Sequence, residues 1–234
     1  MLFAHEVHHV IGAKEAEFEA AYRDEWLPML AKDDDARLLW FTRRIHGTAH
    51  AYTLITLTAV RDGAAWQRLA ERVQHGDLRE WFARVDSLRH ELTAKLLLPV
   101  FWSPMQEIDF ADVPSSATEH EPSIYMEDTG WPHAPLDDYI AFWERGYHQP
   151  MQARPAAQRL LDVQAVFQPA YGAGPRKEAI LWQKVLDHQR LLDLLTTEPP
   201  PERTGPGSFM HEALAYRDHW ESRLLRTAIW SPLW

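Results

Sequence analysis

Two stretches of the chain end almost alike: Leu96-Leu97-Leu98-Pro99-Val100-Phe101-Trp102-Ser103-Pro104-Met105 and Leu224-Leu225-Arg226-Thr227-Ala228-Ile229-Trp230-Ser231-Pro232-Leu233. Trp102-Ser103-Pro104 falls on Trp230-Ser231-Pro232 at an offset of 128 residues. Two further traces run in the same order. Trp26-Leu27-Pro28-Met29 matches His148-Gln149-Pro150-Met151, and Arg37-Leu38-Leu39 matches Arg159-Leu160-Leu161, both at an offset of 122. Three ordered matches mark an internal duplication. The copies are read as residues 1–105 and 123–234. The acidic, aperiodic stretch 106–122, QEIDFADVPSSATEHEP, is read as the linker between them.

Each copy shows the same order of elements. In the first, Leu2 to Ile11 is extended, and Phe18, Ala21, Tyr22, Trp26, Met29 and Leu30 have helical spacing. Pro28 is expected to kink or end that helix. Arg37 to His46 and Ala51 to Val60 are strand-like, and a short helix runs through Gln74. Leu78, Trp81, Phe82, Val85, Leu88, Leu92 and Leu96 predict a long helix, with Val100 to Ser103 as the closing strand. In the second copy, Ser123 to Thr129, Leu160 to Gln168 and Glu178 to Leu186 read as strands. Leu136 to Tyr147 and Arg190 to Thr197 read as helices, and Phe209 to Leu224 as the long final helix. The order β-α-β-β-α-β is that of a ferredoxin-like unit. Such a sheet has one bare apolar face, which must be buried. The expected fold is therefore α+β: tandem ferredoxin-like repeats whose antiparallel sheets pack into a dimeric α+β barrel within one chain.

His8-His9-Val10-Ile11-Gly12-Ala13-Lys14, with Phe18 beyond, resembles the opening of NIPSNAP-type domains, and the two Trp-Ser-Pro endings are similar to that family's closing strand. The resemblance covers both copies and implies the dimeric α+β barrel superfamily. That group holds cofactor-free monooxygenases, EthD-like proteins, polyketide cyclases, chlorite dismutases and haem-degrading enzymes, so it implies a fold more than a reaction.

The 234 residues carry 24 Lys and Arg against 34 Asp and Glu, a formal charge of −10, which argues against a nucleic-acid partner. With no cysteine, thiolate metal sites and Cys nucleophiles are excluded. No apolar run reaches the roughly 18 residues of a membrane span. MLFAHEVHH is not a secretory signal, and the expected location is cytoplasmic. His5, His8 and His9 form no local chelate: His8 and His9 point to opposite faces of a strand, and His5 and His9 lie about 13 Å apart along it. No metal site is expected. Gly172-Ala173-Gly174-Pro175 reads as a turn, not a nucleotide loop.

Candidate site residues come from polar side chains on apolar faces. At the 122 offset, Arg43 breaks the face Leu39, Phe41, Arg43, Ile45, which is expected to meet the helices. It reads either as a structural ion pair or as an anion-stabilising group. Glu6 and Asp128 retain an acid at aligned positions, read as structural and inside the barrel. His5 and Glu127 share an aligned position on the other face, assigned to a helix-side pocket; a slip of one residue would exchange the two sets. His148, beside Tyr147 and before Pro150, is a candidate general base or a plain surface histidine. Trp182, Lys184 and His9 complete the candidate pocket.

The functional expectation is an enzyme acting on a small hydrophobic or aromatic metabolite without a tightly bound organic cofactor, through oxygenation, cyclisation, elimination or C–C cleavage. His148 or His5 would be the base and Arg43 the stabiliser of developing negative charge. One alternative is a haem-binding enzyme on the same scaffold, for which His90 and His219, placed on the long helices, are the ligands to consider. Another is a noncatalytic binding or scaffold protein. Exposed surfaces of a fused barrel also leave room for a homo-oligomer.

Overall fold

The eight strands close a ring in which every neighbouring pair is antiparallel. They are β1 (Leu2–Val10), β2 (Ala36–Arg44), β3 (Thr53–Val60), β4 (Arg89–Pro99), β5 (Ile124–Trp131), β6 (Leu161–Tyr171), β7 (Ala179–Val185) and β8 (His219–Thr227). Their order around the barrel is β1-β3-β2-β8-β5-β7-β6-β4. These positions come from a computed structural model that describes residues 1–48 and 50–234. Moving half-way round the ring maps β1 onto β5, β3 onto β7, β2 onto β6 and β8 onto β4. The barrel axis is thus a pseudo-twofold axis. Each half lends its last strand to the other: β8 pairs with β2, and β4 with β6. This is the tandem α+β barrel expected from the duplication.

The repeated Trp-Ser-Pro segment locks that exchange. It is a turn and not a strand, and its serine reaches across to the opposite half. The Val166 N–H donates to Ser103 Oγ at 2.9 Å, and the Phe41 N–H donates to Ser231 Oγ at 3.0 Å. Each hydroxyl in turn donates two residues on, to Met105 O and Leu233 O.

The two long helices expected before each ending are shorter. The helix Arg79–Asp86 stops there, and Leu92 and Leu96 lie in β4. Phe209–Glu212 is one helical turn, and Trp220 and Leu224 lie in β8. A four-residue spacing satisfies both a helix and one face of a strand, and pairing with neighbouring strands on both sides decides the outcome here. The first helix of each half, by contrast, runs on past its proline. Glu15–Ala20 passes through a π-helical stretch, Ala21–Trp26, into Leu27–Leu30, and Leu136–Trp143 passes through Glu144–His148 into Gln149–Gln152. In the widened turns Leu27 N–H bonds Tyr22 O and Gln149 N–H bonds Glu144 O. The helix thereby continues although Pro28 and Pro150 have no N–H to give.

Helices cover the outside of the sheet. Phe18, Tyr22, Trp26, Trp81 and Val85 pack on Leu38, Phe41 and Leu54 in the first half. Tyr139, Phe142 and Trp143 pack on Val163, Val166 and Leu181 in the second. The lumen has its own core: Phe3, Trp40, Leu57, Leu97, Tyr125, Phe167, Trp182 and Leu225. An eight-stranded barrel is just wide enough for side chains or one small ligand. One end is closed. Phe110 and Val113 of the stretch 106–122 join the lumen core there, with Met1, Met105, Ile108 and Leu233 against them. The other end is open: by register Val7 and Thr93 face the lumen, yet Val7 is only half-buried and Thr93 is exposed. No helix is long and apolar enough to cross a membrane among the described residues.

Candidate functional site

His5 and Glu127 are related by the pseudo-twofold axis and meet on it. Both side chains point into the lumen, where His5 is 3% and Glu127 1% exposed. The helix-side assignment of this face is therefore corrected. His5 pairs with Leu57 and Glu127 with Trp182, both lumen residues. Conversely, Glu6 and Asp128 face the helices and not the lumen.

The lumen pair has a defined protonation pattern. His5 Nε2 lies 2.7 Å from Glu127 Oε2, and Arg223 Nη1 donates to Glu127 Oε1 at 2.9 Å. Burial alone would raise the Glu127 carboxyl, but the His5 ring and the Arg223 guanidinium outweigh it and hold it down to about 2. An ionised carboxylate only accepts, so His5 Nε2 carries the proton. In the neutral ring, Nδ1 is then a bare lone pair, and it is buried with no hydrogen-bond partner. Below the pair lies an aromatic cluster. The Trp182 ring stands edge-on to His5 with centroids 6.3 Å apart, and Trp40, Tyr125 and Trp182 lie 5.7 to 5.9 Å from one another.

Charged groups ring the open mouth above. Arg223 also binds Glu221 through Nε at 2.9 Å, and Lys95 Nζ lies 2.5 Å from Glu178 Oε1. Trp131 Nε1 donates to Glu178 Oε2 at 3.0 Å. Arg44 projects from the end of β2 beside Arg223. Burial and that like charge lower its pKa. His9, farther out on the same face of β1 as His5, shares a 3.3 Å hydrogen bond with Thr53 Oγ1. Burial lowers its pKa, against the pull of Glu91.

The other residues singled out from sequence lie elsewhere. Arg43 faces the first helix, bonding Glu15 Oε1 at 3.1 Å and Glu19 Oε2 at 2.5 Å. The expected 122 register does not hold in this strand: the equivalent β-bulges, between Leu38 and Trp40 and between Val163 and Ala165, lie 125 residues apart. Trp40 thus matches Ala165; Trp40 and Arg44 share the lumen face, while Arg43 meets the helices, as its alternation with Phe41 predicts. Lys184 is at the closed end, donating to Trp234 O at 2.8 Å. Tyr147 lies under the second half's helix and donates to Gln183 Oε1 at 2.6 Å. His148 packs at a tilt against Trp102 with centroids 4.9 Å apart, and burial lowers its pKa. The structure thus joins His5, Glu127 and Trp182, with His9 at the rim. It separates them from Arg43, Lys184, Tyr147 and His148.

Two polar clusters on the helix side were missed from sequence. In the first half, Arg89 Nη1 donates to His8 Nδ1 at 2.9 Å. Since arginine only donates, His8 Nε2–H gives to Thr56 Oγ1 at 3.1 Å, and Thr56 gives to Glu6 Oε2 at 3.1 Å. Burial, then the Arg89 charge, holds His8 well below its ordinary value and so neutral. In the second half, Gln183 Nε2 donates to Asp128 Oδ2 at 2.8 Å and Ser222 donates to Oδ1. Burial raises the Asp128 carboxyl to about 6 against those bonds. The signal for both clusters was the acid at the same position in each copy.

No protein-family model matches the sequence, and no curated protein matches it. Solved structures do match. A "putative monooxygenase" from Lactobacillus acidophilus NCFM is similar with a TM-score of 0.57 at 12% identity, over 99% of this chain and 97% of that one. An anthrone oxidase-like protein is similar with a TM-score of 0.56 at 11% identity, over 97% of this chain and 91% of that one. A NIPSNAP domain protein from Burkholderia xenovorans shares 18% identity over 44% of this chain and 97% of its own, with a TM-score of 0.37. The first two likenesses extend along the whole chain, and what they share with it is the α+β barrel fold.

Proposed function

We propose that the chain is an enzyme acting on a small hydrophobic or aromatic metabolite by acid/base chemistry, without a tightly bound organic cofactor, and that its base is His5. One observation carries this reading: His5 Nε2 is held by the ionised Glu127, while Nδ1 is buried in the lumen without a hydrogen-bond partner. Glu127 fixes the tautomer and stabilises the imidazolium that forms when Nδ1 takes a proton, the arrangement that makes an imidazole an effective base. The carbanion or phenolate left behind is the common start of oxygenation by dioxygen, cyclisation, elimination and C–C cleavage. The monooxygenase and anthrone oxidase names of the structural relatives support the reading as an analogy of fold.

The histidines first considered for the haem alternative do not form a haem site. His90 and His219 stand exposed on strands β4 and β8, not on helices, and both ring nitrogens of His8 are engaged. An axial ligand at these three positions lacks either an enclosing pocket, at His90 and His219, or a free nitrogen, at His8.

The test is turnover of a panel of small phenols and anthrone-type compounds, followed by oxygen uptake and product mass, for wild type and His5→Gln. Loss of on the order of 10²–10⁴-fold in kcat is expected for the variant, with an unchanged circular dichroism spectrum. Full turnover by folded His5→Gln removes His5 from the chemistry. Ligand affinity with no turnover over the whole panel supports the noncatalytic alternative.

A further inference from the structure

Among the described residues, one lumen-facing guanidinium at the open mouth closes no ion pair. The carboxylates there bond other groups: Glu127 bonds His5 and Arg223, Glu221 bonds Arg223, and Glu178 bonds Lys95, while Glu127 and Glu221 act on Arg44 only through space. Arg223 is consumed by two carboxylates at once. Arg44 is different. It is half-buried, its Nε is buried without a hydrogen-bond partner, and among the described residues its guanidinium closes no ion pair. A desolvated, unpaired guanidinium is costly, and a planar oxyanion is what its fork of donors fits.

We propose that Arg44 is the docking group for the substrate's carboxylate, and that the substrate is an aromatic carboxylate seated with its ring pointing down the lumen. This rests on the reading of the lumen as the site. Arg44 and Trp40 lie on one face of β2, four residues or about 13 Å apart along the strand. Trp40 and His5 both pair with Leu57, so they occupy one layer of the barrel. The reach of the arginine side chain takes up part of that span. What remains matches the length of a single aromatic ring; because Nδ1 is buried in the free protein, the ring's far substituent comes to it only when the side chains above part to admit the ring. A phenol bearing its carboxylate para to the hydroxyl meets both ends: the carboxylate on Arg44, and the acidic O–H on the imidazole.

The test compares 4-hydroxybenzoate with its neutral match 4-hydroxybenzamide by isothermal titration calorimetry on the full chain. Wild type should prefer the carboxylate by roughly tenfold or more, the size of a charge-assisted contact. Arg44→Gln should bind the two equally, and Arg44→Lys should keep part of the preference. Arg43→Gln should keep all of it, because Arg43 lies outside the barrel on Glu15 and Glu19. A preference that survives in Arg44→Gln overturns the proposal, as does no saturable binding of 4-hydroxybenzoate to wild type. The same titration on His5→Gln separates the two readings. An Arg44-dependent preference that persists there, together with undiminished turnover by that variant, leaves the anion site standing and removes only the role of His5 as base.

Discussion

Replacing Glu127 with glutamine keeps the shape of the lumen and removes one charge. The carboxyl is held at about 2 against an ordinary 4.5. At about 1.4 kcal/mol per pH unit, that gap corresponds to roughly 3 kcal/mol of folding stability. The folded-state value is depressed, so the contribution is fully present above pH 4.5 and is lost as pH falls toward 2. Glu127→Gln should therefore be less stable than wild type by roughly 3 kcal/mol at pH 7. The gap should shrink to under half of that at pH 3, where much of the wild-type contribution has gone. Urea unfolding of both proteins at pH 7, 5, 4 and 3 reads the difference for Glu127 together with its bonded partner His5, because the titrating groups that do not touch the pair largely cancel. A gap that stays constant across this range would show that the carboxylate is not held by its charge partners, and the argument for a fixed His5 tautomer would fall with it.

Asp128 should behave in the opposite sense. Its folded-state value is raised to about 6, so its contribution is present at low pH and lost as pH rises through 6. Asp128→Asn should gain stability relative to wild type between pH 4 and pH 8, checked by the same unfolding series; a constant difference counts against a desolvated carboxyl. Phe110→Ala should cost about 3–5 kcal/mol as a buried aromatic lost from the plugged end. A fall in Tm of less than a few degrees in a thermal melt would mean that the plug is not part of the core.

The duplication was legible because Trp-Ser-Pro recurs with a fixed duty: each serine ties its turn to the other half. The barrel followed from alternating strands with no cover on one face. Boundaries were harder to read. Leu88, Leu92 and Leu96 fit a helix as well as a strand edge, and only pairing with β1 and β6 separates the two. The site was half visible. His5 and Glu127 were seen as aligned, but aligned residues on opposite halves touch only once the ring closes, which no spacing along the chain reports. Arg44 was hidden by its neighbour. Alternation with Phe41 puts Arg43 on the helix side and Arg44 in the lumen, yet an arginine at a strand end reads in sequence like any solvent-facing one.

The meeting of unlike side chains on a twofold axis has a consequence for ancestry. Two identical polypeptides assembled this way would set imidazole against imidazole, or carboxylate against carboxylate, at hydrogen-bonding distance. Two halves in one polypeptide are free of that constraint, so one partner is an acid and the other a base. Fragments cut apart within residues 106–122 should accordingly seek the opposite fragment and shun their own kind.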